Sequence, residues 1–290
     1  MVSVHTNSAN LTIRQSLNSI NSDLSASMTR LGTGKRINSA KDDAAGLQIA
    51  VRLQAQNRGM GVAMQNAQNA TSMLQTADGA FNEVTNILYR MKDLATQAAD
   101  GASTAKDREA MQAEYDELGA ELSNIMANTS YGGEKLLNKG DGKLASALTL
   151  QIGANTSETM TVDISASLSK LDTSFGSISA AFKGDGAEDA VAGKELIDGA
   201  SAQIDAINAA LEDVSAVRSS IGASQNRLSH VTNNLNNMSA NMTDAYGRIT
   251  DTDMAAESAN MTAKQVLMQT STAMLKQSSS MSQMVLSLIQ

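Results

Sequence analysis

The chain has 290 residues, contains neither proline nor cysteine, and has only 2% aromatic residues. The lack of cysteine excludes disulfides, thiolate metal sites and cysteine nucleophiles, and the net charge of -8 disfavours a nucleic-acid partner because phosphate binding requires a clustered basic surface. Few bulky side chains and no proline favour long helices packed around thin cores of alanine, leucine, isoleucine and methionine.

The hydropathy pattern disfavours two further classes of protein. No stretch approaches the roughly 18 consecutive apolar residues of a membrane-spanning helix, so we expect no membrane insertion. Residues 1–20 lack a basic segment followed by an unbroken apolar run, so we expect no ordinary secretory signal there.

The first predicted element is a helix over residues 8–31. Leu17, Leu24 and Leu31 recur at heptad spacing, and Ile13 and Ile20 lie between them at alternating steps of three and four residues. A narrow apolar stripe of this kind is buried well only against another helix. The stripe therefore predicts helical partners for the start of the chain.

A short linker, or spoke, is predicted over residues 32–45. Gly32 and Gly34 interrupt the helical pattern, and Ser39 and Asp42 supply turn and N-cap chemistry. The acidic pair Asp42 and Asp43 could mark a cation site, but helix capping is the favoured interpretation.

Two further helices are predicted over residues 43–99 and 104–128, separated by a break at 100–102. The first carries a heptad row that shares one register along the helix: Ala67, Leu74, Phe81, Leu88 and Ala95. Rows this regular predict coiled-coil-like packing.

The centre of the chain changes character. Leu148, Leu150 and Ile152 alternate with polar residues, as do Met160, Val162 and Ile164, which predicts a β-hairpin. Residues 165–193 are rich in serine, alanine, glycine and aspartate, and we expect a small surface-exposed insertion there.

The last third is predicted to be a long helix over residues 194–249, then a second spoke at Asp251 and Asp253, then a terminal helix. Seven consecutive heptad positions support the long helix: Ile207, Val214, Ile221, Leu228, Leu235, Met242 and Ile249. The terminal helix repeats the pattern with Leu267, Met274, Met281 and Leu288. The two long helices match in length, so they should lie antiparallel and bring the two terminal helices together.

The predicted fold class is therefore mainly α: long antiparallel coiled-coil-like helical rods with a terminal helix pair and a small β-hairpin region. The chain divides into residues 1–42, 43–164, 165–193, 194–250 and 251–290. The first and last segments form one domain with its spokes, and the rods and hairpin form a second.

Nothing in the sequence predicts an enzyme. His5 and His230 are far apart and lie in no metal-ligand pattern, and the segment Gly32 to Arg36 lacks the spacing of a phosphate loop. Methionine occupies heptad positions, where core filling is the favoured role. We expect no catalytic residue, no cofactor and no metal.

Several strings resemble those of bacterial flagellins. Residues 31–47, LGTGKRINSAKDDAAGL, resemble the family's SSGxRINSAxDDAAGL signature, and residues 90–95 resemble its RxxELA segment. Residues 150–155, LQIGAN, match its hairpin, and residues 285–288, VLSL, resemble its terminus. The matches cover both ends and both rods and leave only residues 165–193 unmatched.

The resemblance implies a structural subunit that polymerises into a hollow helical flagellar filament, with the terminal helices lining an inner tube and the rods forming the next shell. On this view the terminal apolar rows are assembly seams: Ile13, Leu17, Ile20, Leu24, Leu31, Leu267, Met274, Met281, Val285 and Leu288. The implied partners are other copies of the chain, an export chaperone, the type III export gate, and filament cap and junction proteins. The implied location is the extracellular flagellum.

The resemblance also implies recognition by Toll-like receptor 5, through contacts that fall here on Arg90, Leu94 and Glu114. This chain departs from the family pattern nearby, with Asp93 where glutamate is common and Tyr89 in place of a frequent glutamine. The alternative function is that of a hook-filament junction protein with flagellin-like ends, which would stop at a few copies instead of forming long filaments.

Overall fold

The computed structural model describes residues 7–182 and 193–287, with side chains as far as residue 281. Its helices are α1 (Ser8–Thr33), α2 (Ala44–Ala98), α3 (Ala105–Asn128), α4 (Ser165–Ile178), α5 (Glu195–Thr250) and α6 (Met254–Ser287). Two antiparallel strand pairs lie between α3 and α4: β1 (Ser130–Tyr131) with β2 (Glu134–Lys135), and β3 (Leu148–Gln151) with β4 (Thr159–Val162). The mainly α fold class is confirmed.

Local chemistry explains where the helices begin and end. Asn7 caps α1 by accepting a hydrogen bond from the backbone N–H of Asn10 at 3.0 Å, and Thr104 and Asp107 form a capping box on α3. Gly34 ends α1 in the left-handed conformation with φ 69°, which glycine adopts without strain. Gly32, expected to interrupt the helix, remains inside it because α1 extends to Thr33.

The chain forms two compact units. Residues up to 57 and from 240 onward make the first unit, and residues 58–239 make the second. The first unit contains α1 and α6, together with the beginning of α2 and the end of α5.

The core of the second unit is built from the predicted heptad rows. The row on α2, which includes Phe81 and Leu88, is buried, as are Ile207, Val214 and Ile221 on α5. These side chains belong to one hydrophobic cluster with Tyr115 and Leu122 of α3 and with both strand pairs. The regular apolar spacing therefore predicted the core-facing side of each long helix.

Within this unit α2 and α5 run antiparallel. Arg218 on α5 donates a hydrogen bond from Nε to Oδ1 of Asp78 on α2 at 2.9 Å. Ala98 at the end of α2 and Ala200 near the start of α5 line the same cavity of about 400 Å³. Residues later on α2 thus meet residues earlier on α5, as predicted. The helical backbone of α5 is interrupted once, at Gly199.

The predicted β-hairpin is present, with Leu148 opposite Val162 and Leu150 opposite Met160. Its turn is held by Glu158, whose carboxylate accepts hydrogen bonds from the side chain and the backbone of Asn155, and these bonds lower the pKa of Glu158. The shorter β1–β2 pair was not predicted. It turns through Gly132 and Gly133, whose φ angles of 63° and 87° favour glycine.

The expectation of a surface-exposed insertion over residues 165–193 is wrong for its first part. Residues 165–178 form α4, and Leu168, Leu171, Phe175 and Ile178 are all buried in the core. Phe175 contacts Phe182 edge to face, with ring centroids 5.3 Å apart. Residues 183–192 lie outside the part of the chain that the structure describes.

Candidate functional site

The candidate site is the pair of terminal helices in the first unit. Helices α1 and α6 pack against each other in antiparallel fashion, as three polar contacts along their length establish. Asn7 lies 3.4 Å from Ser278, Asp23 lies 2.6 Å from Lys264, and Arg30 lies 4.0 Å from Glu257. The sequence-based expectation that the two ends meet is therefore confirmed.

The predicted apolar row of α1 lies on the side of the helix that faces α6. Leu24 is buried, whereas Ile13, Leu17, Ile20 and Leu31 are half-buried. Two helices alone cannot enclose a row of leucines and isoleucines completely. The pair thus leaves part of its own seam in contact with solvent.

The predicted row of α6 does not lie on the side of the helix that contacts α1. Leu267 is 49% exposed, and Met274 and Met281 are each 57% exposed, so these side chains do not fill the contact with α1. The side of α6 that packs on α1 is instead formed by a second heptad pattern of less exposed residues: Glu257, Met261, Lys264, Met268, Ser271, Leu275 and Ser278. Val285 lies in α6 without a described side chain, and Leu288 lies outside the described residues.

Helix α6 therefore has two faces that differ in polarity and in exposure. The first face is mixed in polarity and contacts α1. The second face, which we call the outward row, consists of Val266, Leu267, Met274 and Met281, all of them about half exposed or more. A large apolar row without a covering element is typical of an interaction surface.

A partly buried pair of charges lies in the contact between α1 and α6. Glu257 is only 8% exposed, and its Oε2 is 4.0 Å from Nη1 of Arg30. The other carboxylate oxygen of Glu257 and the Nε of Arg30 are both buried without a hydrogen-bond partner. An incompletely hydrogen-bonded ion pair contributes little net stability, but removing Arg30 would leave the buried carboxylate of Glu257 uncompensated.

The spoke that follows α1 is tied to the segment that precedes α6. Backbone hydrogen bonds run from Arg36 to Thr250 at 2.6 Å and from Thr252 to Gly34 at 3.1 Å. The guanidinium of Arg36 donates to the carbonyl oxygen of Ile249 at 2.8 Å. These bonds align the base of the terminal helix pair.

The acidic residues of the two spokes act as caps and turn-formers. Asp43 accepts a hydrogen bond from the backbone N–H of Gly46, and Asp253 accepts from those of Ala255 and Ala256. Asp42 accepts from the backbone N–H groups of Asn38 and Ser39, and these bonds lower its pKa. The capping interpretation is thus confirmed for Asp43 and Asp253, and Asp42 orders the turn before them.

Among the described residues, no three or more histidine, aspartate or glutamate side chains form a group suited to hold a metal ion. His230 is exposed on α5, and His5 lies outside the described residues. No helix in the described part of the chain is both long enough and apolar enough to cross a membrane.

A second candidate surface lies where α2 passes α3. Arg90 binds Glu114 through Nε at 2.8 Å and through Nη2 at 2.6 Å, and both side chains remain about half exposed. Tyr89 beside them is 55% exposed. Leu94 does not share this surface, because its side chain is only 2% exposed and belongs to the hydrophobic core.

The face of α6 that contacts α1 was missed from the sequence. Met261, Met268 and Leu275 recur at heptad spacing, so a signal existed. It was obscured because the positions between them carry Lys264, Ser271 and Ser278, whereas the outward row is more uniformly apolar. A prediction based on hydrophobicity alone therefore chose the outward row, which does not contact α1.

Comparison with known proteins gives two family matches. The profile described as "Bacterial flagellin N-terminal helical region" matches residues 4–141, and "Bacterial flagellin C-terminal helical region" matches residues 204–289. The two matches include α1, α2 and α3 at one end and α6 at the other, and hence both helices of the candidate site.

Curated relatives are similar over part of their length. Polar flagellin F of Vibrio parahaemolyticus is 48% identical over 163 residues, which make up 56% of this chain and 42% of that protein. Flagellin A of Vibrio anguillarum is 49% identical over 157 residues, or 54% of this chain and 40% of that protein. The aligned part of this chain thus spans about two fifths of each relative.

Among solved structures, Bacillus cereus flagellin is 28% identical, with a TM-score of 0.45 over 59% of this chain and 88% of that one. A putative flagellar hook-associated protein from Vibrio parahaemolyticus is 15% identical, with a TM-score of 0.43 over 73% of this chain and 97% of that one. From the two family matches, which together include most of the sequence, the chain belongs to the bacterial flagellins.

Proposed function

We propose that this chain is a structural subunit that polymerises with copies of itself, through its terminal helices, into the flagellar filament used for motility. The observation that carries the proposal is the outward row of α6. Its leucine, valine and methionine side chains are exposed although a neighbouring face of the same helix is already packed against α1. Membership of a structural family supports the same assignment and disfavours an enzyme.

The energetics favour burial of the outward row between copies. Each leucine or methionine side chain moved from water into a packed interface contributes about 2 kcal/mol. Leu267, Met274 and Met281 recur every seven residues, so they form one continuous line along α6. A line repeated on every copy can be buried continuously along a polymer, which a single free chain cannot achieve.

The half-buried row on α1 has a related role in this proposal. A helix pair with one leucine-rich seam encloses little apolar surface, so its folding depends on further neighbours. Ile13, Leu17 and Ile20 retain exposed surface in the single chain. Neighbouring copies that cover both rows would couple the folding of the terminal helices to polymerisation.

Substitution of the outward row tests the proposal. The variant Leu267→Ser, Met274→Ser, Met281→Ser keeps the α6 face that contacts α1, and we expect it to raise the critical concentration for polymerisation at least about a hundredfold. The readout is sedimentation together with electron microscopy of the purified chain. Equal polymerisation of this variant and the unmodified chain would rule out the outward row as the interface.

A matched control is available on the same helix. Gln265, Thr272 and Lys276 are exposed on a third side of α6, away from both apolar faces. The control variant Gln265→Ser, Thr272→Ser, Lys276→Ser carries the same number of substitutions to serine, and we expect it to polymerise nearly as well as the unmodified chain. Loss of polymerisation in the control alone would contradict the assignment.

The remaining features of the proposed function concern domains and partners. Residues 1–42 and 251–290 would form the inner tube, and residues 43–164 and 194–250 the second shell, to which α4 belongs through its buried side chains. The secreted chain would leave the cell through the type III export gate. A chaperone would cover α6 beforehand, because an exposed apolar row is an aggregation hazard. Cap and junction proteins would lie at the two ends of the polymer. The proposed function requires no cofactor.

We further propose that Arg90 and Glu114 contribute to a surface recognised by Toll-like receptor 5. Their ion pair fixes a guanidinium and a carboxylate side by side while leaving both accessible. Leu94 is withdrawn from the proposed contact because its side chain is buried. Leu94 can affect recognition only indirectly, because its packing in the core helps to hold α2 in place.

Binding of the receptor ectodomain to the free chain tests this surface. We expect Arg90→Ala to weaken binding about tenfold, whereas Arg227→Ala, an exposed arginine on α5, should leave it unchanged. An exposed ion pair contributes under about 1 kcal/mol to folding, so the variant should retain its thermal stability. Equal affinity of Arg90→Ala and the unmodified chain would remove Arg90 from the site.

The second candidate function is that of a junction protein with flagellin-like ends. The length of the polymer distinguishes the two functions. Long filaments formed by the purified chain alone support the filament subunit, whereas assemblies that stop at a few copies support the junction protein.

A further inference from the structure

Two sets of methionines in the described chain differ sharply in exposure. Five lie in helical or strand cores and are at most 6% exposed: Met60, Met73, Met91, Met126 and Met160. Met274 and Met281 are 57% exposed, and both lie on the outward row of α6. An oxidant in solution can therefore reach the outward row of the folded chain while the core methionines are shielded.

A hydroperoxide oxidises the thioether of each of these two residues to a sulfoxide. The thioether sulfur attacks the terminal oxygen of a hydroperoxide, an S–O bond forms and the O–O bond breaks. The sulfur loses two electrons, and the departing hydroxide or alkoxide takes up the proton of the transferred oxygen to give water or an alcohol, respectively. The product, methionine sulfoxide, is polar and can be returned to methionine by sulfoxide reductases.

We propose that Met274 and Met281 are oxidation sites that control whether a free chain can polymerise. This inference rests on the proposed function, because it requires that the outward row be buried between copies. A sulfoxide oxygen placed in an apolar interface loses its hydrogen bonds to water, and that loss opposes assembly. Oxidation of the free chain thus prevents polymerisation, whereas burial in a finished filament protects the same two sulfurs.

The position of the two residues makes the effect selective. The outward row takes no part in the contact between α1 and α6, and the second unit is held by a separate core. Sulfoxides at positions 274 and 281 therefore leave the fold of the second unit intact. A chain oxidised there keeps its folded second unit but is unable to add to a filament.

The experiment uses the full chain and hydrogen peroxide. Free chain is treated until peptide mass spectrometry shows one added oxygen at each of Met274 and Met281, and extension of preformed filament seeds is then measured. We expect extension to slow about tenfold or more, to recover after treatment with methionine sulfoxide reductases, and to occur without loss of helical content. Peroxide added to finished filaments should oxidise the two residues at least about tenfold more slowly.

The double variant Met274→Leu, Met281→Leu is the matched control. It keeps an apolar outward row but cannot be oxidised there, so we expect it to extend seeds normally with and without peroxide. Met28 and Met254, each 50% exposed, remain oxidisable in it and control for oxidation elsewhere.

The outcomes separate the two claims. Failure of untreated chain to extend seeds would contradict the proposed function itself. Normal extension by oxidised chain, or equal inhibition of the leucine variant by peroxide, would overturn the assignment of Met274 and Met281 while leaving the proposed function standing.

Discussion

Gln112 shows how a single side chain connects distant parts of the second unit. It is buried on α3 and donates from Nε2 to Asp116 at 2.8 Å and to Glu195 at 2.6 Å, while its Oε1 accepts from the backbone N–H of Leu196 at 2.7 Å. Glu195 also accepts from the backbone N–H of Ala180 at 2.9 Å. One amide thus fixes the beginning of α5 against α3, with two carboxylates close to each other.

Burial of Asp116 near other carboxylates makes its ionisation costly, so we expect the stability of the second unit to depend on pH. Burial raises the pKa of Asp116, and the hydrogen bond from Gln112 only partly opposes that effect, while Glu195 adds to it. A pKa raised in the folded state means that the ionised form is disfavoured by folding. The stability gained from the protonated form is complete below the unfolded pKa and is lost as pH rises through the folded pKa.

Asp116→Asn is therefore expected to stabilise the second unit near neutral pH. The asparagine keeps an oxygen that can accept from Gln112 but carries no charge. Thermal unfolding should show a higher midpoint for the variant at about pH 7 and a much smaller difference at about pH 3, where the aspartate is protonated in both states. A difference that stays constant over this range would contradict the role assigned to the charge.

At the scale of elements, α4 and the long helices show what the spacing of apolar residues can and cannot predict. Leu168, Leu171, Phe175 and Ile178 follow helical spacing, but they stand among serine and glycine residues that favour a loop. Burial against the core of the second unit overrides that local preference. The long helices were predictable because their apolar rows extend over many heptads, whereas α4 offers only about four turns.

Removal of one aromatic ring tests the structural role of α4. Phe175 is fully buried, so Phe175→Ala should lower the free energy of unfolding of the second unit by about 3 to 4 kcal/mol through lost burial and a cavity. Lys170→Ala, exposed on the same helix, should change it by less than about 0.5 kcal/mol. Denaturant unfolding of both variants is the measurement, and equal midpoints would place α4 outside the core.

The Arg30–Glu257 pair allows a similar test of the α1–α6 contact. Arg30→Met leaves the buried carboxylate of Glu257 without a cation, so we expect it to destabilise the helix pair by on the order of 2 kcal/mol. Arg30→Met combined with Glu257→Met removes both charges and should recover most of that loss. The dissociation temperature of filaments reports the effect. A double variant as unstable as the single one would show that the charges do not interact.

At the scale of the whole molecule, the two units differ in how completely they bury their apolar rows. The second unit packs its heptad rows, α4 and the β3–β4 hairpin into one hydrophobic cluster. The first unit pairs α1 with α6 but leaves Leu267, Met274 and Met281 uncovered. Sequence spacing predicted a role for these rows, yet it could not tell which row meets α1, because both rows of α6 repeat every seven residues and only the packed structure distinguishes them.

The role of the outward row is tested most directly by an electron cryomicroscopy reconstruction of filaments grown from the purified chain. We expect α1 and α6 to remain paired within each copy, and Leu267, Met274 and Met281 to be buried against neighbouring copies. Filaments in which the outward row faces solvent would contradict the central claim, as would a chain that forms no long polymer under any polymerising condition.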